Sequence, residues 1–167
     1  MEHGGDPGAI LAWMQALEAS WLGREARTST WLYPLASVLH ILGLAFLVGS
    51  IAVFDLRVLG AARRLPLDVC ASYLLPIARG AFAVQVVTGF VMFSADADHV
   101  YDNPFFLAKM GVIALALVNI VTFHGLARDR PYVYELDPAP GWARASAAIS
   151  LLAWIGVASF GRMIAYI

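Results

Sequence analysis

The sequence predicts an all-α membrane protein: a bundle of four transmembrane helices preceded by a short amphipathic helix at the interface, with both termini outside. Of its 167 residues, 60% are hydrophobic and only 14% are charged, whereas soluble domains are ~45 to 50% apolar. Four apolar runs nearly fill the chain, each close to the ~20 residues that a spanning helix needs. We therefore expect a single membrane domain over 1–167 and no separate soluble domain.

A short segment before the spans has apolar residues at roughly helical spacing. They are Ile10, Leu11, Trp13, Met14, Leu17, Trp21 and Leu22. Because the segment is too short to cross a bilayer, we predict an amphipathic helix over about 8–22 that lies at the interface. A cleaved signal peptide is the alternative, but the acidic Glu2 and Asp6 stand where a basic region would be expected.

The four predicted spans cover about 31–54, 73–95, 105–127 and 145–167. The first opens with aromatic residues, as in an interfacial belt, and with Pro34, which a first helical turn tolerates. The second contains the single charge Arg79. The third contains Lys109 near its start and His124 near its end, and the fourth contains Arg162.

Basic residues in the short connections predict the orientation. The first and third connections are flanked by Arg57, Arg63, Arg64, Arg128, Arg130 and Arg144. The second connection, SADADHVYDNP, has three aspartates and no lysine or arginine. The positive-inside rule therefore places the first and third connections in the cytoplasm, although Arg24 and Arg27 near the N-terminus weaken the bias.

His40 is the most informative residue, because ionisable groups inside a bilayer are rare and usually mark a functional site. With a rise of 1.5 Å per residue, it lies ~6 Å to the outer side of the midplane, Lys109 ~9 Å and Arg162 ~10 Å. Met110 lies at a similar depth, and His99 is in the loop above. We name these five residues the outer cluster.

The outer cluster suggests a haem site. His40 would be the metal ligand, and Lys109 and Arg162 would bind the propionates. Met110, His99 or no side chain would occupy the opposite face of the iron. A quinone or copper are alternative occupants. The plain alternatives are a neutral His40 that is hydrogen-bonded to a neighbouring helix, and basic side chains that snorkel to the interface.

Asp55, Arg79 and His124 form a second group, the inner cluster, near the cytoplasmic side. His124 lies ~14 Å inward of the midplane, so it cannot share one iron with His40. We predict a structural role for the inner cluster, with Asp55 and Arg79 as an ion pair.

Several function classes are disfavoured. The net charge of -1 gives no reason to expect a nucleic-acid partner, and the single cysteine, Cys70, excludes an internal disulfide. The sequence has no phosphate-binding glycine loop, no histidine pair spaced for zinc and no G-x-S-x-G serine motif.

Three phrases carry a resemblance to a known family: LYPLASVLHILGLAFLVGSIAVFDLRVLG (32–60), TGFVMFSADADHVYDNPFFLAKM (88–110) and GRMIAYI (161–167). The chain resembles an uncharacterised bacterial family of small four-helix membrane proteins, and this implies the bacterial inner membrane. It singles out His40, Asp55 with Arg57, Lys109 and Arg162. The architecture is also similar to small b-type cytochromes, whose two histidine pairs are missing here, and faintly to copper-resistance membrane domains.

These observations favour a membrane protein that carries one haem b, or a quinone, in its outer leaflet. It would exchange electrons with a periplasmic redox protein and act as a carrier rather than as an enzyme. The alternatives are a cofactor-free accessory or assembly subunit of a membrane complex, and a transition-metal (copper) permease or chaperone. The lipid bilayer is the expected environment, and a homo-oligomer remains open.

Overall fold

The computed structural model describes residues 7–166, and every regular element in that range is helical. The helices are α1 (Pro7–Glu18), α2 (Trp21–Thr28), α3 (Leu32–Leu59), α4 (Leu67–Ala95), α5 (Ala97–Val100), α6 (Pro104–Asp129) and α7 (Gly141–Met163). Short 3-10 turns follow α6 (Pro131–Tyr134) and α7 (Ile164–Tyr166). Because α3, α4, α6 and α7 are long and apolar enough to cross a membrane, the predicted four-span fold of a multi-pass membrane protein is confirmed.

All four spans extend further than the sequence predicted at the arginine-rich end, where α6 continues to Asp129 and α7 already begins at Gly141. α3 continues past residue 54 to Leu59, and α4 already begins at Leu67. The prediction stopped where charges begin, but a helix satisfies its own backbone hydrogen bonds and continues beyond the apolar layer. At the other end α7 stops at Met163, and residue 167, the predicted end of the fourth span, lies outside the described residues.

The short N-terminal helix predicted over 8–22 is confirmed as α1, but it ends at Glu18, and a second short helix, α2, follows it. Ser20 ends the first and caps the second, accepting a hydrogen bond from the Gly23 N–H at 3.2 Å. Both helices contact the C-terminal end of α4. Arg27 forms an ion pair with Glu18 at 3.2 Å and donates to the Ala95 carbonyl at 3.1 Å.

The connection at the arginine-rich end is held by one buried guanidinium. Gly60, with a φ of 109°, ends α3 in the left-handed conformation that glycine adopts without strain. Arg57 is 7% exposed and donates to the Leu65 carbonyl at 2.6 Å. It also lies 3.7 Å from Asp137, so it joins the α3–α4 loop to the α6–α7 loop.

The packing of the four spans leaves one side of the bundle open. α3 packs against α4 and α7, and α6 packs against α7, whereas α4 and α6 make far less contact with each other. The outer ends of α4 and α6 meet where the Phe93 and Phe106 rings stack, with centroids 5.3 Å apart. We infer that the two helices diverge in the other half of the bundle, where a gap faces the lipid.

Candidate functional site

His40 belongs to a hydrogen-bond chain between α3 and α4. Thr88 donates its hydroxyl proton to the Val84 carbonyl at 2.6 Å, so its oxygen accepts from His40 Nδ1–H at 2.8 Å. Gln85 donates to the His40 backbone carbonyl. In the neutral ring this leaves the lone pair on Nε2, which has no partner among residues 7–166.

Small residues allow α3 and α4 to approach closely around this chain. A Cβ at Gly89 would lie 3.2 Å from His40 Cε1, and a Cβ at Gly43 would lie 2.8 Å from Gln85 Nε2. Such close approach is typical of packing between membrane helices. The hydrogen bonds and packing match the structural alternative for His40, a neutral histidine bonded to a neighbouring helix.

The structure does not assemble the other members of the outer cluster around His40. Lys109 is half-buried, lies against Gly161 of α7 and is near enough for its charge to act on His40. Arg162 is exposed and donates to the Tyr166 hydroxyl at 2.8 Å, with its guanidinium 5.0 Å from the ring centroid. Met110 is 46% exposed, on the outside of the bundle.

His99 lies at the surface rather than folding down towards His40. Its Nδ1 is 2.8 Å from Asp98 and 3.3 Å from Asp96, and its side chain is 80% exposed. The hydrogen bond to Asp98 and the charges of both aspartates raise the pKa of His99 above its ordinary value. Within the described part of the chain, these three residues are the group of His, Cys, Asp or Glu side chains close enough to hold a metal.

The gap between α4 and α6 contains a cavity of about 610 Å³, here named the lateral cavity. All four spans contribute to its wall, which is mostly apolar and rich in aromatic rings. The aromatic residues of the wall are Phe54, Phe82, Phe123 and Trp154. Leu117, Val121 and Gly125 line it on α6 and are themselves exposed on the outside of the bundle. The lateral cavity therefore opens towards the lipid.

Within the described part of the chain, one polar atom on each of two buried residues in the cavity wall has no hydrogen-bond partner. Asp55 of α3 is 4% exposed, and its Oδ2 makes no hydrogen bond. Trp154 of α7 is 2% exposed, and its Nε1–H makes none either. The Ser150 hydroxyl lies beside the Asp55 carboxyl. Buried groups without partners are uncommon in proteins, and each calls for a physical explanation.

The inner cluster meets at the lateral cavity, but not as the predicted ion pair. Arg79 and His124 both line the cavity with Asp55. No Asp55–Arg79 ion pair is found among the described residues, and Arg79 Nε instead donates to the Leu75 carbonyl at 3.3 Å. His124 Nδ1–H donates to the Ile120 carbonyl at 2.9 Å, so the lone pair of the neutral ring is on Nε2.

Sequence reasoning missed the residues of α7 that complete this wall. Ser146, Ser150 and Trp154 recur every four residues, a spacing that places them on one helical face. Ser146 donates to Asn119 Oδ1 at 2.9 Å, and Asn119 Nδ2 donates back to the Ser146 carbonyl at 3.0 Å. The four-residue spacing was the available signal.

A family model covers almost the whole chain. It matches residues 12–167 and is described as a family of unknown function, DUF6644. The chain belongs to this family. No curated protein and no solved structure matches the chain. The family confirms the resemblance to a domain of unknown function that the sequence indicated.

Proposed function

We propose that this multi-pass membrane protein binds a lipid-soluble quinone in the lateral cavity and serves as an electron carrier rather than as a substrate-converting enzyme. The observation that carries the proposal is a lipid-facing cavity whose apolar wall contains unpartnered polar groups on Asp55 and Trp154. Quinones are the expected occupants, because they move within the bilayer and combine a planar apolar ring with two oxygen atoms.

The size and lining of the cavity suit such a ligand. Its volume of about 610 Å³ falls within the roughly 300 to 1,000 Å³ of small-molecule sites. The aromatic rings of Phe54, Phe82 and Phe123 offer faces for stacking against a planar ring. An entrance between α4 and α6 would let the ligand enter from the lipid without crossing water.

The unpartnered atoms supply the two kinds of hydrogen bond that a quinone and its reduced form need. Trp154 Nε1–H is a donor for a carbonyl oxygen, and the Asp55 carboxylate is an acceptor for a quinol hydroxyl. Both atoms are buried within the wall. The side chains at the cavity surface must therefore rotate before the quinone ring can contact them. Binding would then satisfy groups that are otherwise costly to bury.

Haem b is a second candidate for the same cavity, and His124 favours it. Its Nδ1–H is held by a backbone carbonyl, which leaves Nε2 for a metal. Arg79 and Arg128 line the same wall and are suited to bind propionates. A haem at His40 has less support, because Arg162 binds Tyr166 and Met110 is on the outside of the bundle. A copper role at His40 finds no second ligand among the described residues.

The position of the cavity changes the expected electron partner. It lies at the arginine-rich end of the bundle, which the charge pattern places on the cytoplasmic side. We therefore propose a redox subunit of a membrane complex as the partner, rather than a periplasmic protein. A cofactor-free accessory subunit is the outcome if no quinone or haem binds.

Quinone binding can be measured with the purified protein in lipid nanodiscs. A short-chain ubiquinone analogue should quench tryptophan fluorescence in a saturable way. Trp154→Phe should remove most of the quenching, whereas Trp142→Phe should not, because Trp142 packs against Phe123 and does not line the cavity. Quenching that does not saturate, or that both variants leave unchanged, would contradict the proposal.

A cavity-filling pair of variants supplies an independent control. Ala78 is buried in the cavity wall, and Ala83 is exposed on the same helix outside it. Ala78→Phe should weaken quinone binding by tenfold or more, and Ala83→Phe should leave it unchanged. A Soret band after haem addition that His124→Ala abolishes would instead favour the second candidate.

A further inference from the structure

Asp55 is buried with one carboxyl oxygen that lacks a hydrogen-bond partner in the described structure, although a side chain near the end of α3 could be exposed. It lies one turn before the end of the helix, close to water, yet it is only 4% exposed. Its Oδ2 makes no hydrogen bond to any residue that the structure describes. A carboxylate buried in this way is costly without a paired charge, whereas a neutral carboxylic acid costs far less.

The neighbours of Asp55 offer hydrogen bonding but no bound counter-charge. On its own helix the guanidinium of Arg57 is directed to Leu65 and Asp137. On α7 the Ser150 hydroxyl lies beside the carboxyl. The charged or titratable groups that face it across the lateral cavity are Arg79 of α4 and His124 and Arg128 of α6. All three of these are exposed side chains at the cavity edge.

We propose that Asp55 is the proton-exchanging residue of the lateral cavity, a carboxylic acid beside a bound quinone and a carboxylate beside a bound quinol. This inference rests on the proposed function and adds a chemical role to one residue of the site. A carboxylic acid donates its proton in a hydrogen bond to a quinone carbonyl, which has none to give. A carboxylate accepts a hydrogen bond from a quinol hydroxyl.

The two binding reactions differ by one proton. Starting from the ionised empty site, quinone binding takes up one proton from water, which becomes the proton of the Asp55 carboxyl. Quinol binding takes up none, because the ligand brings its own hydroxyl hydrogen. Because quinone binding is linked to this protonation, quinone affinity falls about tenfold for each pH unit above the pKa of Asp55. Quinol affinity stays constant over the same pH range.

The first test compares the pH dependence of the two affinities in nanodiscs, using a short-chain ubiquinone analogue and its quinol kept reduced under anaerobic conditions. Asp55→Asn should make quinone affinity independent of pH, and Asp55→Glu should retain the slope. Asp68→Asn is the matched control, because Asp68 is an exposed carboxylate outside the lateral cavity. A wild-type quinone affinity without a slope, or a slope that survives in Asp55→Asn, would overturn the inference.

The second test needs no quinone for its signal. A lipophilic carbodiimide adds to a protonated carboxyl reached from the lipid and gives an N-acylurea, with the whole reagent retained and nothing released. Mass spectrometry should find this adduct on Asp55, at a rate that falls as pH rises, and excess quinone should suppress it. Ser150→Ala should retain the adduct, because the hydroxyl assists the carboxyl without being the reacting group.

The two tests separate the possible failures. Carbodiimide labelling of Asp55 without saturable quinone binding would overturn the proposed function and leave a lipid-accessible protonated carboxyl. Saturable quinone binding with no Asp55 adduct and no pH slope would overturn this inference alone. Labelling that quinone suppresses, together with the slope, supports both.

Discussion

Replacing Thr88 with valine tests the hydrogen-bond chain between α3 and α4. The change keeps the shape of the side chain and removes the hydroxyl that accepts from His40 Nδ1 and donates to the Val84 carbonyl. Hydrogen bonds between membrane helices average about 0.6 kcal/mol and reach about 1.7 kcal/mol. Since the half-buried His40 N–H would also lose its acceptor, we expect a loss of about 1 to 2 kcal/mol.

Thr122 provides the matched control for this variant. Its hydroxyl donates to the Val118 carbonyl of its own helix at 2.8 Å, and the residue is exposed. Reversible unfolding in mixed micelles should therefore show little change for Thr122→Val. A double-mutant cycle with His40→Ala should return a coupling of about 0.6 to 1.7 kcal/mol between positions 40 and 88. Equal stability of Thr88→Val and Thr122→Val, or no coupling, would refute the hydrogen bond between His40 and Thr88.

Two further predictions concern the loops. Arg57→Ala should lower the free energy of unfolding by about 1 to 3 kcal/mol, because it removes the buried guanidinium that binds the Leu65 carbonyl and Asp137. Arg63→Ala should change it by less than about 1 kcal/mol, because that ion pair is exposed, and chemical unfolding of both variants tests the difference. His99 should titrate above 6.5 in an NMR experiment, and Asp98→Asn should lower its pKa. The raised pKa stabilises the folded state at low pH, and this contribution is lost as pH rises through the folded pKa.

The sequence predicted the spans well because the bilayer constrains them so strongly. A chain that crosses hydrocarbon must satisfy its backbone within each segment, so a long apolar run has little choice but to form a helix. The break at Ser20 escaped prediction because one capping side chain decides it, and the apolar spacing continues across it. Local chemistry overrode the periodicity there.

The candidate site was harder to predict, because depth along a helix says nothing about rotation. Lys109 and Met110 are adjacent in depth, yet successive helical residues point about 100° apart. Lys109 lies against α7, and Met110 is on the outside of the bundle. Asp55 and Trp154 come together only because α3 packs against α7 while α4 and α6 diverge. The hydropathy of a span does not predict which other helix it packs against.

Photolabelling with an azidoquinone tests the central claim most directly, because it reports where a quinone resides in the folded protein in its bilayer. If the lateral cavity is the site, mass spectrometry should find labelled residues within 75–82 of α4 and 117–128 of α6, and excess unlabelled quinone should suppress them. Labelling concentrated around His40, or spread over lipid-facing residues without suppression, would contradict the account.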